Sequence, residues 1–202
     1  FEVADHWRLP TTRFDALERF LGLVNKSSHE LRAYDDALDF IAGCRDAEKR
    51  AAALAEHFPR GAADGGLKKL LKVPLYPYQA AGALFAVGAG RALIGDDMGL
   101  GKTIQAIAAP EILARLFGVA KVLVICPTSL KYQWQSEIAR FAGRDSRVMG
   151  GGRGQRQKDF ALDDFCKITN YEKLQPDLDL IAGWAPDLVI VDEAQRIKNW
   201  NT

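Results

Sequence analysis

Cysteine is scarce in this chain: Cys44, Cys126 and Cys166 are the three in 202 residues, and they lie far apart. They make no C-x-x-C pair and no even-numbered set, which argues against a cysteine zinc site and a disulfide-stapled scaffold and points to a reducing compartment. An excess of one charge is missing too. Twenty-seven Lys and Arg face 26 Asp and Glu, a net charge of +1, so any contact with nucleic acid has to come from a local arrangement of residues and not from a global field. Long hydrophobic runs are absent: "VLVIC" and "DLVIVDE" are far shorter than the roughly 20 apolar residues that a spanning helix needs. No basic-then-apolar leader opens the sequence. The chain reads as intracellular and not membrane-spanning, and its start at Phe1 and end on "NWNT" read as an excerpt of a longer protein.

What is present is ordinary globular material, 48% hydrophobic and 26% charged, enough for one good core and a smaller appendage. Residues 1–66 read as a helical region. "TTRFDALERFLGLVN" offers Thr11 or Thr12 as a cap, with Phe14, Leu17, Phe20 and Leu21 at helical spacing. "SSHELRAYDDALDFIAG" repeats the pattern with Ser28, Leu31, Tyr34, Leu38 and Ile41, and "RDAEKRAAALAEHF" reads as a third helix ending before Pro59 and the "RGAADGG" breaker cluster. From residue 67 the character changes. "RALIG", "KVLVICP", "SRVMG", "CKITNY" and "DLVIVDE" are short β-rich runs, separated by stretches long enough for crossover helices. This predicts an α/β fold over 67–202, a parallel sheet with helices on both faces. Pro110 falls inside the predicted helix "KTIQAIAAPEILARLFG", where a missing backbone donor should kink or restart it.

The informative stretch is "GDDMGLGKTIQ", Gly95 to Gln105. It resembles the phosphate loop G-x-x-x-x-G-K-[ST], except that Asp96 stands where the first glycine belongs. Gly99 and Gly101 let the backbone approach an anion, the helix that follows presents its N–H groups, Lys102 reaches the β and γ phosphates, and Thr103 holds Mg2+. "LVIVDEAQ" then delivers Asp192 and Glu193 to the end of an apolar strand. One acid of such a pair can bind the metal while its neighbour polarises an attacking water.

Taken in order, "DDMGLGKTIQ", "VICPTSLKYQWQSEIARF", "ITNYEKL" and "VDEAQRIKN" resemble motifs I, Ia, Ib and II of the Swi/Snf-type ATPases, the double-stranded-DNA translocases of helicase superfamily 2. The resemblance implies the first RecA-like, P-loop lobe of such a motor, ending shortly after motif II. It makes an acid at Asp96 ordinary and places Asp97 where that family has Glu. It implies ATP and Mg2+ as cofactors: Asp97, Gly99, Gly101, Lys102 and Thr103 around the phosphates, Thr103 and Asp192 on the metal, Lys102, Asp192 and Glu193 in catalysis. In "LYPYQAAGALF" it makes Gln79 the reader of the adenine edge, with Tyr76 or Tyr78 packed nearby; chemistry alone equally allows an exposed residue at a helix start. Thr128, Ser129 and Lys131, past one strand end, and Thr169, Asn170 and Tyr171, past another, become contacts to one DNA strand. Gln195 becomes the relay between nucleotide and DNA. Trp134 reads as a core residue. Arg140, Arg144, Arg147, Arg153, Arg156 and Lys158 read as a solvated surface, with a backbone-tracking stripe as the alternative.

In the resembled family the γ phosphate receives arginines from a second lobe, so this stretch by itself is expected to bind Mg-ATP weakly and to hydrolyse it poorly. The partner is expected to be double-stranded DNA, in the bacterial nucleoid or in a nucleus; the apolar faces of the N-terminal helices leave three roles open, packing on the ATPase lobe, regulating it, or holding a protein partner. An RNA helicase lobe of the same superfamily is one alternative, against which "DEAQRIKN" argues. A protein-docking module with a vestigial nucleotide site is another, against which the intact phosphate and metal residues count.

Overall fold

The computed structural model describes residues 14–24, 26 and 34–197. Thr11, Thr12, Ser28 and Leu31, read above as cap and face residues, lie outside them. The chain divides into two compact units, residues 1–50 and 51–202. The first holds helix α1 (Phe14–Val24) and most of α2 (Asp35–His57). Two helices were expected where α2 runs unbroken through Gly43: a glycine costs a helix about 1 kcal/mol, too little to stop one flanked by good helix formers. Asp35 and Asp36 sit in its first turn, where the helix dipole favours an acid. No residue of α2 is buried, and Tyr34 and Leu38, expected on an apolar face, are exposed.

The second unit is built on a four-stranded sheet, all of whose pairings are parallel: β1 (Val122–Cys126), β2 (Ser146–Val148), β3 (Cys166–Asn170) and β4 (Leu188–Val191), in the order β2-β3-β1-β4. Successive strands are joined through α5 (Lys131–Phe141), α6 (Arg153–Phe160), and the pair α7 (Tyr171–Leu174) and α8 (Leu178–Trp184). Two further helices, α3 (Pro77–Ala89) and α4 (Lys102–Phe117), precede β1.

Side chains alternate across a strand, and β1 shows the result. Val122, Val124 and Cys126 enter a core with Ala83 and Val87 of α3, Ile107 and Ile112 of α4, and Trp134 and Ile138 of α5. Leu123 and Ile125 enter another with Met149, Phe160 of α6 and Trp184 of α8. All five β1 residues are buried, as a sheet covered on both faces requires. The doubly covered parallel sheet expected from the sequence is present.

Three expectations are corrected. "RALIG" forms no strand: residues 91–95 have no ladder partner among the described residues, and Leu93 is 78% exposed. A strand exists by pairing, and apolar β-branched content alone does not supply a partner. The outer strand β4 is not covered on both sides, since Val189 and Val191 are exposed. Helix α4 runs through Pro110 without restarting. The penalty of an interior proline, about 3 kcal/mol, is offset by buried neighbours such as Ile107 and Ile112, each worth roughly 1.5–3 kcal/mol.

The six-residue basic run is a solvated surface in most but not all of its members. Arg144 pairs with Glu111 at 2.9 Å and lies over Phe165, Arg147 pairs with Asp164, and Arg153 with Asp179. Arg156, 4% exposed, makes a two-pronged pair with Asp177. Arg156 is thus a buried structural residue, whereas Arg140, Arg153 and Lys158 are exposed and Arg144 and Arg147 partly so, as expected of a solvated surface. Lys167 of β3 is fully buried, its ammonium satisfied by Asp164 Oδ2 and the carbonyls of Asp159 and Leu162 at 2.7–2.9 Å, with the Trp184 ring 4.9 Å away.

The Arg147 guanidinium holds the Asp164 carboxyl below the ordinary carboxylate range, and Lys167 adds to this. A lowered folded value means stability present above the unfolded carboxyl's pKa, about 3.9, and lost as pH falls through the folded one. Asp164→Ala, which strands the buried Lys167 ammonium, is expected to destabilise by on the order of 3 kcal/mol in urea unfolding at pH 7. The gap between variant and wild type should narrow below about pH 4.

Candidate nucleotide and nucleic-acid site

The phosphate loop is held from two helices. Pro77 opens α3, and at its third position Gln79 accepts from the Tyr76 amide at 3.1 Å, closing the helix start. The Gln79 amide nitrogen donates to the Leu100 carbonyl at 3.2 Å and to the Tyr78 hydroxyl, which itself donates to Leu100 at 3.1 Å. Gln79 is 6% exposed, so it is no exposed helix-start residue. Its amide braces the loop.

The second brace is Gln105 of α4. Its amide donates to Asp96 Oδ2 at 2.6 Å, and it is 1% exposed. This is the physical use of an acid where a phosphate loop ordinarily starts with glycine: the carboxylate anchors the loop to the helix it leads into. The bond needs Gly82 of α3, where a Cβ would fall 1.9 Å from Gln105 Oε1. Sequence reasoning missed Gln105 and Gly82, since their contacts join different helices.

Gly99 and Gly101 have φ of 86° and 76°, a region that glycine enters at no steric cost. Gly101 caps α4, and a Cβ there would sit 2.6 Å from the Gln79 amide nitrogen. From the first position of α4, Lys102 folds back so that Nζ donates to the carbonyls of Asp96 and Asp97 at 2.9 and 3.1 Å. Those carbonyl oxygens offer the ammonium what phosphate oxygens would offer.

At the end of β4, Asp192 is fixed at three atoms. Its N–H donates to Ile125 at 2.8 Å, its carbonyl accepts from the Tyr171 hydroxyl, and its Oδ2 accepts from the Trp134 indole N–H at 2.9 Å. Oδ1 has no protein partner among the described residues. Neither does the Thr103 hydroxyl. Two such oxygens fit a hard cation held mainly by water and substrate phosphates. Among the described residues no cluster of three or more His, Cys, Asp or Glu forms. Glu193 has φ of 56°, a costly conformation for a residue with a Cβ, and it accepts from the Gln195 amide.

Thr128 and Ser129 are exposed in a short turn past β1, and Lys131 follows at the start of α5. The Lys131 ammonium donates to the Met149 carbonyl at 3.0 Å and approaches Asn170 Oδ1 at 3.5 Å. The Thr128 hydroxyl and the Asn170 amide both donate to Glu172. Thr128, Lys131 and Asn170 are thus brought together, but neither Thr169 nor Asn170 is a surface group, at 1% and 5% exposure. Tyr171 points to Asp192. Burial first, then the Asp192 charge, pushes the Cys126 thiol up to about 11, so it stays protonated and is no nucleophile.

With this geometry the model of the SNF2-related domain matches residues 78–202. The chain belongs to the SNF2-related family. This SNF2-related domain is 32% identical over 152 residues to a zebrafish (Danio rerio) chromodomain-helicase-DNA-binding protein 1-like, covering 67% of the chain and 14% of that protein. It is 31% identical over 150 residues to a chromatin-remodeling ATPase INO80 of Cryptococcus neoformans, covering 65% and 8%. The solved Sulfolobus solfataricus SWI2/SNF2 ATPase core in complex with dsDNA is similar with a TM-score of 0.58 at 33% identity, covering 65% of this chain and 28% of that one. The parallel sheet with its surrounding helices matches the RecA-like lobe of that ATPase core. The chain spans 14% of the first curated relatives' length or less.

Gly82→Ala should force Gln105 off Asp96 and destabilise by about 1–2 kcal/mol, the buried hydrogen bond to a charge outweighing the helix gain. In a Gln105→Ala background the same change should become neutral or stabilising, a coupling that a double-mutant thermal-denaturation cycle measures directly.

Proposed function

We propose that this SNF2-related domain is the nucleotide-binding first lobe of an ATP-dependent motor that tracks along double-stranded DNA. The observation that carries the reading is the pair of groups left ready at the loop and sheet edge. Lys102 rests on two exchangeable backbone carbonyls, and Asp192 keeps one oxygen bare while the other is hydrogen-bonded. In this reading the β and γ phosphates displace the Asp96 and Asp97 carbonyls from Lys102, and the N–H groups at the start of α4 and the Gly99–Gly101 turn close round them. Asp97 lends the loop its carbonyl and charge. Thr103 and Asp192 hold Mg2+, which when bound neutralises charge on the phosphates.

Glu193 orients and deprotonates the attacking water, and Gln195, bonded to it, transmits the state of the nucleotide to the DNA side. Gln79 supports the loop; its direct use on adenine requires the base to replace the Leu100 carbonyl. Thr128, Ser129 and Lys131 grip phosphates of one DNA strand, while Thr169, Asn170 and Tyr171 act from beneath, the first through its place in β3, the second through Lys131 and the third through Asp192. Phosphate contacts of this kind position a strand without reading its sequence.

Turnover in this reading draws on a second lobe that brings arginine to the γ phosphate, so the lobe alone binds Mg-ATP weakly. The lobe begins near residue 67, where Leu67, Leu70 and Leu71 enter the core, and the helices before it, α1 and α2, are where a protein partner would dock. Work on chromosomal DNA places the protein in a nucleoid or a nucleus.

The test is hydrolysis by the full-length protein with duplex DNA or RNA added. Lys102→Ala is expected to lower DNA-stimulated turnover by about 100-fold or more, in the range seen when one transition-state donor is removed. Lys131→Ala should weaken DNA binding for all sequences and lower the salt slope by about 1. Equal stimulation by RNA, or undiminished turnover in Lys102→Ala, would overturn the proposal.

A further inference from the structure

We infer that Trp134 is a positioning residue for the metal: its indole N–H holds Oδ2 of Asp192, so that Oδ1 alone is presented to Mg2+. This rests on the reading of Asp192 as a metal ligand and adds a residue to it. An indole N–H only donates, and at 2.9 Å from Oδ2 it holds the carboxyl group in one orientation. The backbone on either side of that carboxylate cannot compensate by turning, because the Asp192 N–H is bonded to Ile125 and its carbonyl to Tyr171. A carboxylate fixed in this way binds a cation through one oxygen, with little ordering left to lose on binding.

A plain packing role does not account for the contact. Trp134 is 4% exposed in the core, and burial of its ring needs no acid. Trp184 is also buried, and its indole nitrogen has no partner among the described residues, so this fold accepts a buried indole N–H without one. The place of Trp134 gives the bond a second consequence. It stands three residues after Lys131 on α5, on the same side of the helix, and the Lys131 ammonium reaches toward Asn170 beside Tyr171. Of the two side chains that hold Asp192, Trp134 thus lies next to a group of the proposed strand contact, and Tyr171 follows the Asn170 that this group approaches. A shift of α5 by DNA at Lys131 moves the donor on the metal-holding acid.

Trp134→Phe keeps the aromatic body and removes the donor. Binding of Mn2+ in the presence of ATP, read by electron paramagnetic resonance, is expected to weaken about 10- to 100-fold, with ATP binding in EDTA unchanged. In the wild-type chain, the indole 15N–1H resonance that vanishes in Trp134→Phe should move when Mg-ATP is titrated, and that of Trp184 should not. Wild-type Mn2+ affinity in Trp134→Phe would overturn the inference. If that variant does not fold, the wild-type resonance decides alone: assigned through the backbone, it supports the inference if it moves and defeats it if it stays. Asp192→Asn separates the two levels. Loss of Mn2+ binding there, with full binding in Trp134→Phe, removes the role of Trp134 only; retained binding in Asp192→Asn removes the metal site itself.

Discussion

The register of β1 between its two neighbours is the constraint on which the site depends. Cys126 lies opposite Asn170 and Ile125 opposite Val191, so three strands end at one level, and the residues that follow them emerge side by side. Thr128 and Lys131 come from the first of these ends, Tyr171 from the second, Asp192 from the third. A slip of one residue in either pairing would send every β1 side chain to the opposite core, and the burial of all five positions makes such a slip very unfavourable. Ligands of open parallel sheets bind at the carboxyl ends of the strands because this geometry gathers distant segments there.

The phosphate loop is organised differently. No strand leads into it, and its shape is set by two glutamines on flanking helices, Gln79 on the Leu100 carbonyl and Gln105 on the Asp96 carboxylate. Both are buried, and the hydrogen bonds of a buried amide are worth more, and more costly to lose, than those on a wet surface. The loop can therefore hold left-handed backbone at Gly99 and Gly101 before any anion arrives.

The sequence was most legible where chemistry is local. The glycine turn running into Lys102 and Thr103, the apolar strand ending on Asp192 and Glu193, and the β-α alternation each lie within a dozen or so consecutive residues, and the parallel sheet follows from them. What could not be read depends on partners far along the chain. Trp134 showed its helical spacing but not its bond to an acid 58 residues later. Arg156 resembled part of a surface run because its acid, Asp177, lies 21 residues away. "RALIG" had strand composition without a strand beside it. Thr169 and Asn170 are both buried, at 1% and 5% exposure, because β3 is enclosed along its whole length, which follows from its place between β1 and β2 and not from its local sequence.

Cys126 forms part of the wall beneath the proposed metal ligand. Electrophiles and peroxides attack the thiolate form of cysteine, and at neutral pH the buried sulfur beside Asp192 carries its proton, held there by burial and by the negative carboxylate. The acid that would recruit a cation thus adds its charge to the burial that already disfavours the reactive thiolate of the sulfur behind it.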